Sequence, residues 1–363
     1  MTDSLETRVR QILAGIADPH TGKDLVASGA LRGVGVAGAD VSVDVQLGYP
    51  ALSVQAAFAE TIKRALEADP PIAHAAVSVS CRVFAHEVQH GLTPLPGVKN
   101  VIAVASGKGG VGKSTVAANL ALALKAEGAS VGVLDADIYG PSQVRMLGLE
   151  GKPDTKDGKR IEPKIGHGIQ AMSIGLMIEE DTAMIWRGPM ATQALQQMLT
   201  DTNWSDLDYL VIDLPPGTGD IQLTLCQRIP VSAALIVTTP QDIALIDAKK
   251  ALKMFEKVNV PVLGIVENMA THICTKCGHE EHIFGEGGGA RMAEQYGVPL
   301  LGSLPLDIRI REQADGGTPT VAAIPDSDLA ARYREIARNA AARLSLRARN
   351  KALGMPKIVV QNT

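Results

Sequence analysis

The chain has 363 residues, enough for two domains or for one large domain with an appendage. Apolar residues make up 46% of it and aromatics only 3%, so a sizeable core must be built from Ala, Val, Leu and Ile. The net charge of −4 argues against broad electrostatic wrapping of nucleic acid, and four cysteines exclude a disulfide-stapled secreted scaffold.

Residues 4–17 predict a helix, with Asp3 as its cap, Glu6 as capping-box partner, and Val9, Ile12, Leu13 and Ile16 as its apolar stripe. Asp18-Pro19 is the expected stop. The acidic N-terminus has no apolar signal-peptide core, and no apolar run reaches the ~18 residues of a membrane helix. The expected location is therefore cytoplasmic, with no membrane or nucleic-acid partner. Gly33-Val34-Gly35-Val36-Ala37-Gly38 fits G-x-G-x-x-G but precedes a strand, so it reads as a flexible turn. Val41–Val45 and Ala76–Val79 alternate as half-buried strands do, with a helix over 52–68 between them. His86-Glu87-Val88-Gln89-His90 fits the zinc-protease string. It continues the alternating run Val77–Phe84 instead of a helix, and so lacks the face that chemistry needs. Residues 1–90 thus form a small α+β domain, and the Gly and Pro of residues 91–98 mark a linker.

Short apolar runs then alternate with helices: Val101–Ala105, Val131–Leu134, Ile169–Ile174, Tyr209–Ile212, Ala234–Thr238, Val262–Val266 and Leu300–Leu304. Near-continuous apolar strands of this kind predict an α/β domain over 99–350, a mainly parallel sheet with helices on both faces. Its ligands belong at the carboxyl ends of the strands. The Ala/Arg-rich segment 326–349 predicts a helix packed on the sheet, since it lacks the Phe and Trp of a membrane-surface helix. Residues 351–363 are a tail. Cys81 and Cys226 are single cysteines in apolar surroundings and read as buried structural thiols.

Gly107-Lys108-Gly109-Gly110-Val111-Gly112-Lys113-Ser114 matches the phosphate-loop pattern in full, after a strand and before a helix. Its glycines let successive N–H groups face one anion, and the following helix adds its positive end. Lys113 is the candidate for the β- and γ-phosphates of ATP, and the Ser114 hydroxyl for Mg²⁺. Asp213 ends the apolar run Tyr209–Ile212 and is a candidate carboxylate beside Mg²⁺. Gly217 follows in Leu214-Pro215-Pro216-Gly217-Thr218-Gly219-Asp220, where an N–H can sense the γ-phosphate. Asp137, in Asp135-Ala136-Asp137, is the candidate for orienting the attacking water. The extra Lys108 resembles the deviant Walker A loop of the MinD/ParA/Mrp ATPases. That resemblance implies a lysine acting across a homodimer on the partner's nucleotide.

Cys274-Thr275-Lys276-Cys277 holds the closely spaced cysteines. Two thiolates are half of a tetrahedral or cubane site. A twofold dimer would supply the other half as an identical pair, around one shared cluster. His272, His279 and His282 offer zinc as a rival, although one residue between Cys277 and His279 is tight spacing. A redox dithiol is a third reading.

With these segments the chain resembles the Mrp/ApbC family of iron–sulfur cluster carrier ATPases along essentially its whole length. The resemblance is carried by Gly107–Thr115, Asp135–Ser142, Trp186-Arg187-Gly188-Pro189-Met190, Asp213–Asp220, Glu267-Asn268-Met269, and Cys274–Cys277 followed by Phe284–Gly288. Residues before 95 resemble the SufT-like domain fused in front of some members, through Asp18-Pro19 and Gly48-Tyr49-Pro50. The resemblance implies a P-loop NTPase fold and slow ATP hydrolysis. It implies a [4Fe–4S] cluster bridging a homodimer at Cys274 and Cys277, supplied by scaffold or donor proteins and transferred to apo-proteins. It also places Thr115 with the phosphate loop, Asn268 on adenine and Asp307 near the base. The cysteine that many SufT-like domains carry near Tyr49–Val54 is missing, which argues against cluster binding there. A MinD/ParA-like positioning ATPase and a nitrogenase-iron-protein-like reductase are alternatives. The first does not need a C-x-x-C, and the second uses widely separated single cysteines.

Overall fold

The computed structural model describes residues 4–155, 158, 160–177, 188–274 and 276–350. Asp3, Trp186, Arg187 and the tail 351–363 lie outside them. Helix α1 (Leu5–Ala14) is capped by Ser4, whose hydroxyl accepts from the Thr7 N–H at 3.3 Å, rather than by the expected Asp3. It closes at Gly15, earlier than the sequence suggested, and Asp18 is engaged elsewhere. That carboxylate is buried and accepts from the His20 N–H at 2.9 Å and the Tyr49 hydroxyl at 2.6 Å.

The expected turn at Gly33–Gly38 is corrected. Leu31–Ala37 is strand β1, paired antiparallel with β2 (Asp40–Leu47) through a two-residue connection at Gly38-Ala39. Only Gly38, at φ +67°, supplies turning freedom. Gly35 is glycine for space, since a Cβ there would lie 2.5 Å from Ser42 Oγ on the neighbouring strand. Helix α2 (Gln55–Glu67) buries Phe58, Ile62 and Leu66 and carries the chain to β3 (His74–Cys81), parallel to β2. A parallel neighbour requires such a crossover.

The second unit begins with β4 (Val98–Ser106), α3 (Lys113–Ala126), β5 (Val131–Asp135) and the one-turn α4 (Gln143–Met146). Next come β6 (Lys164–Gly166), β7 (Ile169–Ser173), α5 (Gly188–Asp201), β8 (Leu207–Asp213), α6 (Asp220–Arg228), β9 (Ala233–Thr238) and α7 (Asp242–Lys257). Strand β10 (Val262–Glu267), the small hairpin β11 (His272–Ile273) and β12 (Glu280–Glu281), α8 (Gly288–Tyr296) and β13 (Leu300–Ser303) follow. Helices α9 (Ile308–Asp315), α10 (Thr320–Ala323) and α11 (Asp328–Ser345) complete it.

The large sheet has the order β13-β10-β9-β4-β8-β5-β7-β6, parallel throughout except for β6. Every expected strand of this unit is present. The chain leaves β4 first toward β5 on one side and, after returning to β8, crosses to β9 on the other, so the loop after β4 sits at the switch point where such sheets bind ligands. The middle strands β8 and β9 are almost wholly buried, and α3 is buried from Val116 to Leu124. Alanines at 117, 118, 121 and 123 let α3 sit close against its neighbours. Helix α11 packs on α3, β13 and β10 with Leu329, Ala330, Tyr333, Ile336, Ala337 and Ala340 buried, as expected for a sheet-packing helix. Among the described residues no helix is long and apolar enough to cross a membrane.

A buried ionic cluster joins the two units. Glu127, just past α3, accepts from the Ser53 N–H at 3.0 Å, the Ser53 hydroxyl at 2.6 Å and Arg338 Nη1 of α11 at 2.5 Å. Arg338 Nε also lies 3.1 Å from His20 Nε2, so residues of the small domain reach both helices.

Candidate functional site

The loop after β4 follows from its glycines. Gly110 and Gly112 both have φ +80°, and Gly112 is the left-handed residue on which α3 begins. The chain therefore curls before the helix, directing N–H groups at the axis of α3. Lys113, the first residue of α3, turns its side chain inward and is 5% exposed. Its amine pairs with Asp213, the last residue of β8, which is fully buried. The amine also donates to Ser114 Oγ at 3.2 Å. The sequence motifs separated by a hundred positions thus meet: Lys113, Ser114 and Asp213 form one contact group.

Asp135 and Asp137 approach from the neighbouring strand. Asp135 is buried and accepts from the Asp137 N–H at 3.1 Å, the Gln143 N–H at 3.0 Å and the Ser173 hydroxyl at 3.1 Å. Burial, and then the charge of Asp213, push its carboxyl up to about 7. It is a scaffold for the loop that carries Asp137. Asp137 accepts from the Gly140 N–H at 3.3 Å. Burial raises its pKa, the Lys113 ammonium opposes that, and Asp213 adds to it. A carboxyl so placed sits within the field of the phosphate-binding lysine.

Sequence reasoning missed Gln143. Its Nε2 donates to Asp213 Oδ2 at 2.9 Å and to the Ser114 carbonyl at 3.0 Å, so it ties α4 to the phosphate loop and to β8. It lies one residue beyond the Asp135–Ser142 motif, and nothing about a lone glutamine announces a role.

Other candidates sit differently from their expected roles. The Gly217 N–H donates to the Ser106 carbonyl at 3.0 Å, so that bond must exchange before this N–H can meet a phosphate. The Asn268 amide donates to the Val111 carbonyl at 2.9 Å, bracing the phosphate loop from the end of β10. Asp307 caps α9, accepting from the Arg309 N–H at 2.8 Å. Its carboxyl is held low, first by the Arg309 side-chain hydrogen bond. Lys108 is half-exposed, with its amine 3.4 Å from Gln241 Oε1 at the start of α7.

Cys274 and Cys277 lie in the connection between β11 and β12. The Cys274 N–H donates to the His279 carbonyl at 2.9 Å, and its carbonyl accepts from the Gly278 N–H at 2.8 Å. Cys277 is exposed and Cys274 partly so. Backbone N–H groups of Lys276 and Cys277, then the Cys277 thiol, lower the Cys274 pKa and favour its thiolate. Of the rival histidines, His272 Nδ1 lies 3.1 Å from the Leu306 carbonyl and His282 Nδ1 lies 3.2 Å from that of Ala270. Among the described residues no three His, Cys, Asp or Glu side chains group to hold a metal ion. Isolated thiols behave otherwise: burial pushes Cys226 up to about 12. Half-buried Cys81 is also raised by burial and accepts from Gln55 Nε2 at 2.8 Å. His86 lies outside any helix with Nδ1 2.8 Å from Asn100 Oδ1, so the protease string has no metal-binding face.

Residues 97–341 match the family described as the NUBPL iron-transfer P-loop NTPase, and residues 6–79 match the family described as iron-sulfur cluster assembly protein. The iron-sulfur cluster carrier protein of Haemophilus influenzae is 49% identical over 338 residues, 93% of this chain and 91% of that one. The iron-sulfur cluster transfer protein NUBPL of Mus musculus is 51% identical over 253 residues, 69% of this chain and 79% of that one. A nucleotide-binding protein from Archaeoglobus fulgidus, solved with ADP, is 39% identical with a TM-score of 0.54, covering 61% of this chain and 87% of its own.

Proposed function

Because the chain belongs to the NUBPL iron-transfer P-loop NTPase family, we propose that it is an iron–sulfur cluster carrier driven by ATP. It binds and slowly hydrolyses ATP, and it holds a [4Fe–4S] cluster as cargo between the Cys274-Cys277 pairs of two copies. It then passes the cluster from a donor to apo-proteins. The observation that carries this reading is the short path from nucleotide loop to cargo loop. Asn268, at the end of β10, bonds the phosphate loop at Val111. The same chain then runs through His272, bridged to Leu306, directly into Cys274. A change in the loop is thereby felt at the cysteines.

The site's chemistry follows from its charges. The Lys113 ammonium, held in place by Asp213, meets the β- and γ-phosphates, and the N–H groups of Gly109 to Ser114 and the positive end of α3 meet the remaining oxygens. Asp137 orients water on the γ-phosphorus, and ATP plus water gives ADP plus phosphate. Lys108 reaches the partner copy's nucleotide. Mg²⁺ fits the donor set, since the Ser114 hydroxyl and the Asp213 carboxylate both meet the Lys113 amine, and Gln143, whose nitrogen bonds Asp213, keeps a buried amide oxygen without a partner. Ser114 and Asp213 would hold the ion, which supplies charge neutralisation to the phosphates. Asn268 both braces the loop and borders the base, and Thr115 and Asp307 complete the nucleotide's surroundings.

Anaerobic reconstitution tests the cargo. Iron, sulfide and visible absorption are measured for the wild type and for Cys274→Ser/Cys277→Ser. About four irons and four sulfides per dimer, lost in the double variant while the far-UV signal is kept, is the expected result. About one zinc per dimer with no sulfide would make the pair structural and end the carrier reading.

A further inference from the structure

Gln143 is 1% exposed, yet only half of its amide is used. The nitrogen donates to two groups that can only accept, the Asp213 carboxylate and the Ser114 carbonyl. That fixes which end of the amide faces them, because an oxygen turned that way would meet two acceptors. The oxygen, Oε1, is then left buried with no hydrogen-bond partner. Buried acceptors in this position ordinarily have a donor, protein or water. The backbone of the same residue is committed too, its N–H donating to Asp135 Oδ2 at 3.0 Å.

Three segments therefore converge on one side chain: the phosphate loop through Ser114, the end of β8 through Asp213, and the Asp135–Gln143 loop that also carries Asp137. We propose that Gln143 is a positioning residue for Mg²⁺. Its amide nitrogen fixes Asp213 and Ser114, the residues assigned to the ion, and its free oxygen accepts a hydrogen from a water of the ion's shell. The proposal rests on the nucleotide reading given above and deepens it. It also explains how the Asp137 loop registers that the metal site is filled, since loop and site share this side chain. Groups that orient metal ligands without touching the ion commonly set its affinity about 10- to 100-fold.

The test is a Mg²⁺ titration of the full chain with ADP present, followed by thermal unfolding, with ATP hydrolysis as a second readout. In the wild type, Mg²⁺ raises the unfolding temperature beyond the effect of ADP alone. Gln143→Leu removes donor and acceptor together, and its titration midpoint is expected to move at least about tenfold higher. Gln143→Met keeps the length and volume of the side chain without donor or acceptor, so its midpoint is expected to move with that of Gln143→Leu. Hydrolysis by Gln143→Leu is expected to recover in part at high Mg²⁺, a shift in the metal requirement more than in kcat. If both variants titrate at the wild-type concentration, whatever their stability, Gln143 is only a packing residue and the inference is overturned. A wild type with no Mg²⁺ effect on stability or hydrolysis would overturn the nucleotide reading itself, a distinguishable failure.

Discussion

Gly112 is the residue at which the phosphate loop becomes a helix, and its φ of +80° disfavours any side chain. A methyl group there would also collide with the Asn268 amide, which is bonded to Val111 next door. The two penalties act on the same turn, so Gly112→Ala is expected to displace the loop without reaching the core. Strain at such a position costs about 1–3 kcal/mol. Fluorescent ADP titration should show binding weakened at least about tenfold, while urea unfolding moves by no more than that strain. Wild-type affinity would mean that the loop has room it does not show. At this scale the sequence was most informative where chemistry demands a fixed pattern, as in Gly107–Ser114. It was mute where a residue acts by position. Gln143 passed unnoticed and Asn268 was expected only at the base, yet both hold the loop with ordinary amides, and only the fold brings them to Ser114 and Val111.

Elements were legible when their period was clear. The apolar runs that became β4, β5 and β7 to β10 could be placed because parallel strands covered on both faces leave few polar positions. Leu31–Ala37 departs from the expected turn because its glycines serve packing as well as turning: Gly35 makes room for Ser42 across the hairpin. The connection after β3 carries a pH signal in His86. Burial keeps the His86 imidazole below its ordinary value, and the guanidinium charges of Arg349 and Arg347 add to this against the Asn100 contact. The unfolded chain takes up its proton first, near pH 6.5. Stability is therefore intact above that pH and is lost as pH falls from there through the lower folded value. His86→Gln does not titrate, so its urea midpoint should fall less than the wild type's between pH 7 and pH 5. Identical slopes would assign the acid sensitivity to other groups.

For the whole molecule, the decisive contact joins residues far apart in sequence and invisible there. Glu127 and Arg338 are 0% and 8% exposed, and Ser53 of the small domain completes their cluster. Helix α3 thus has the phosphate loop at one end and the small domain at the other. Removing one member of a buried ion pair costs about 3–5 kcal/mol, because the other is left charged and unpartnered. Glu127 keeps its two hydrogen bonds from Ser53, so Arg338→Met is expected to lose the lower part of that in urea unfolding. Glu127→Gln/Arg338→Met should recover a large part of it. A single variant losing under about 1 kcal/mol would show that apolar packing, and not this cluster, seats the domain.

The cysteine hairpin has a further consequence for the assembled carrier. On the proposed reading, each copy brings half of the donor atoms, both on an outlying two-strand ribbon. Loading is then second order in protein. When copies are mostly separate, the loaded fraction rises with their concentration as well as with that of iron and sulfide. Dilution alone unloads the carrier. Any recipient that draws one copy away from the other removes two of the four thiolates at a stroke, and the cargo passes to whichever protein can replace them.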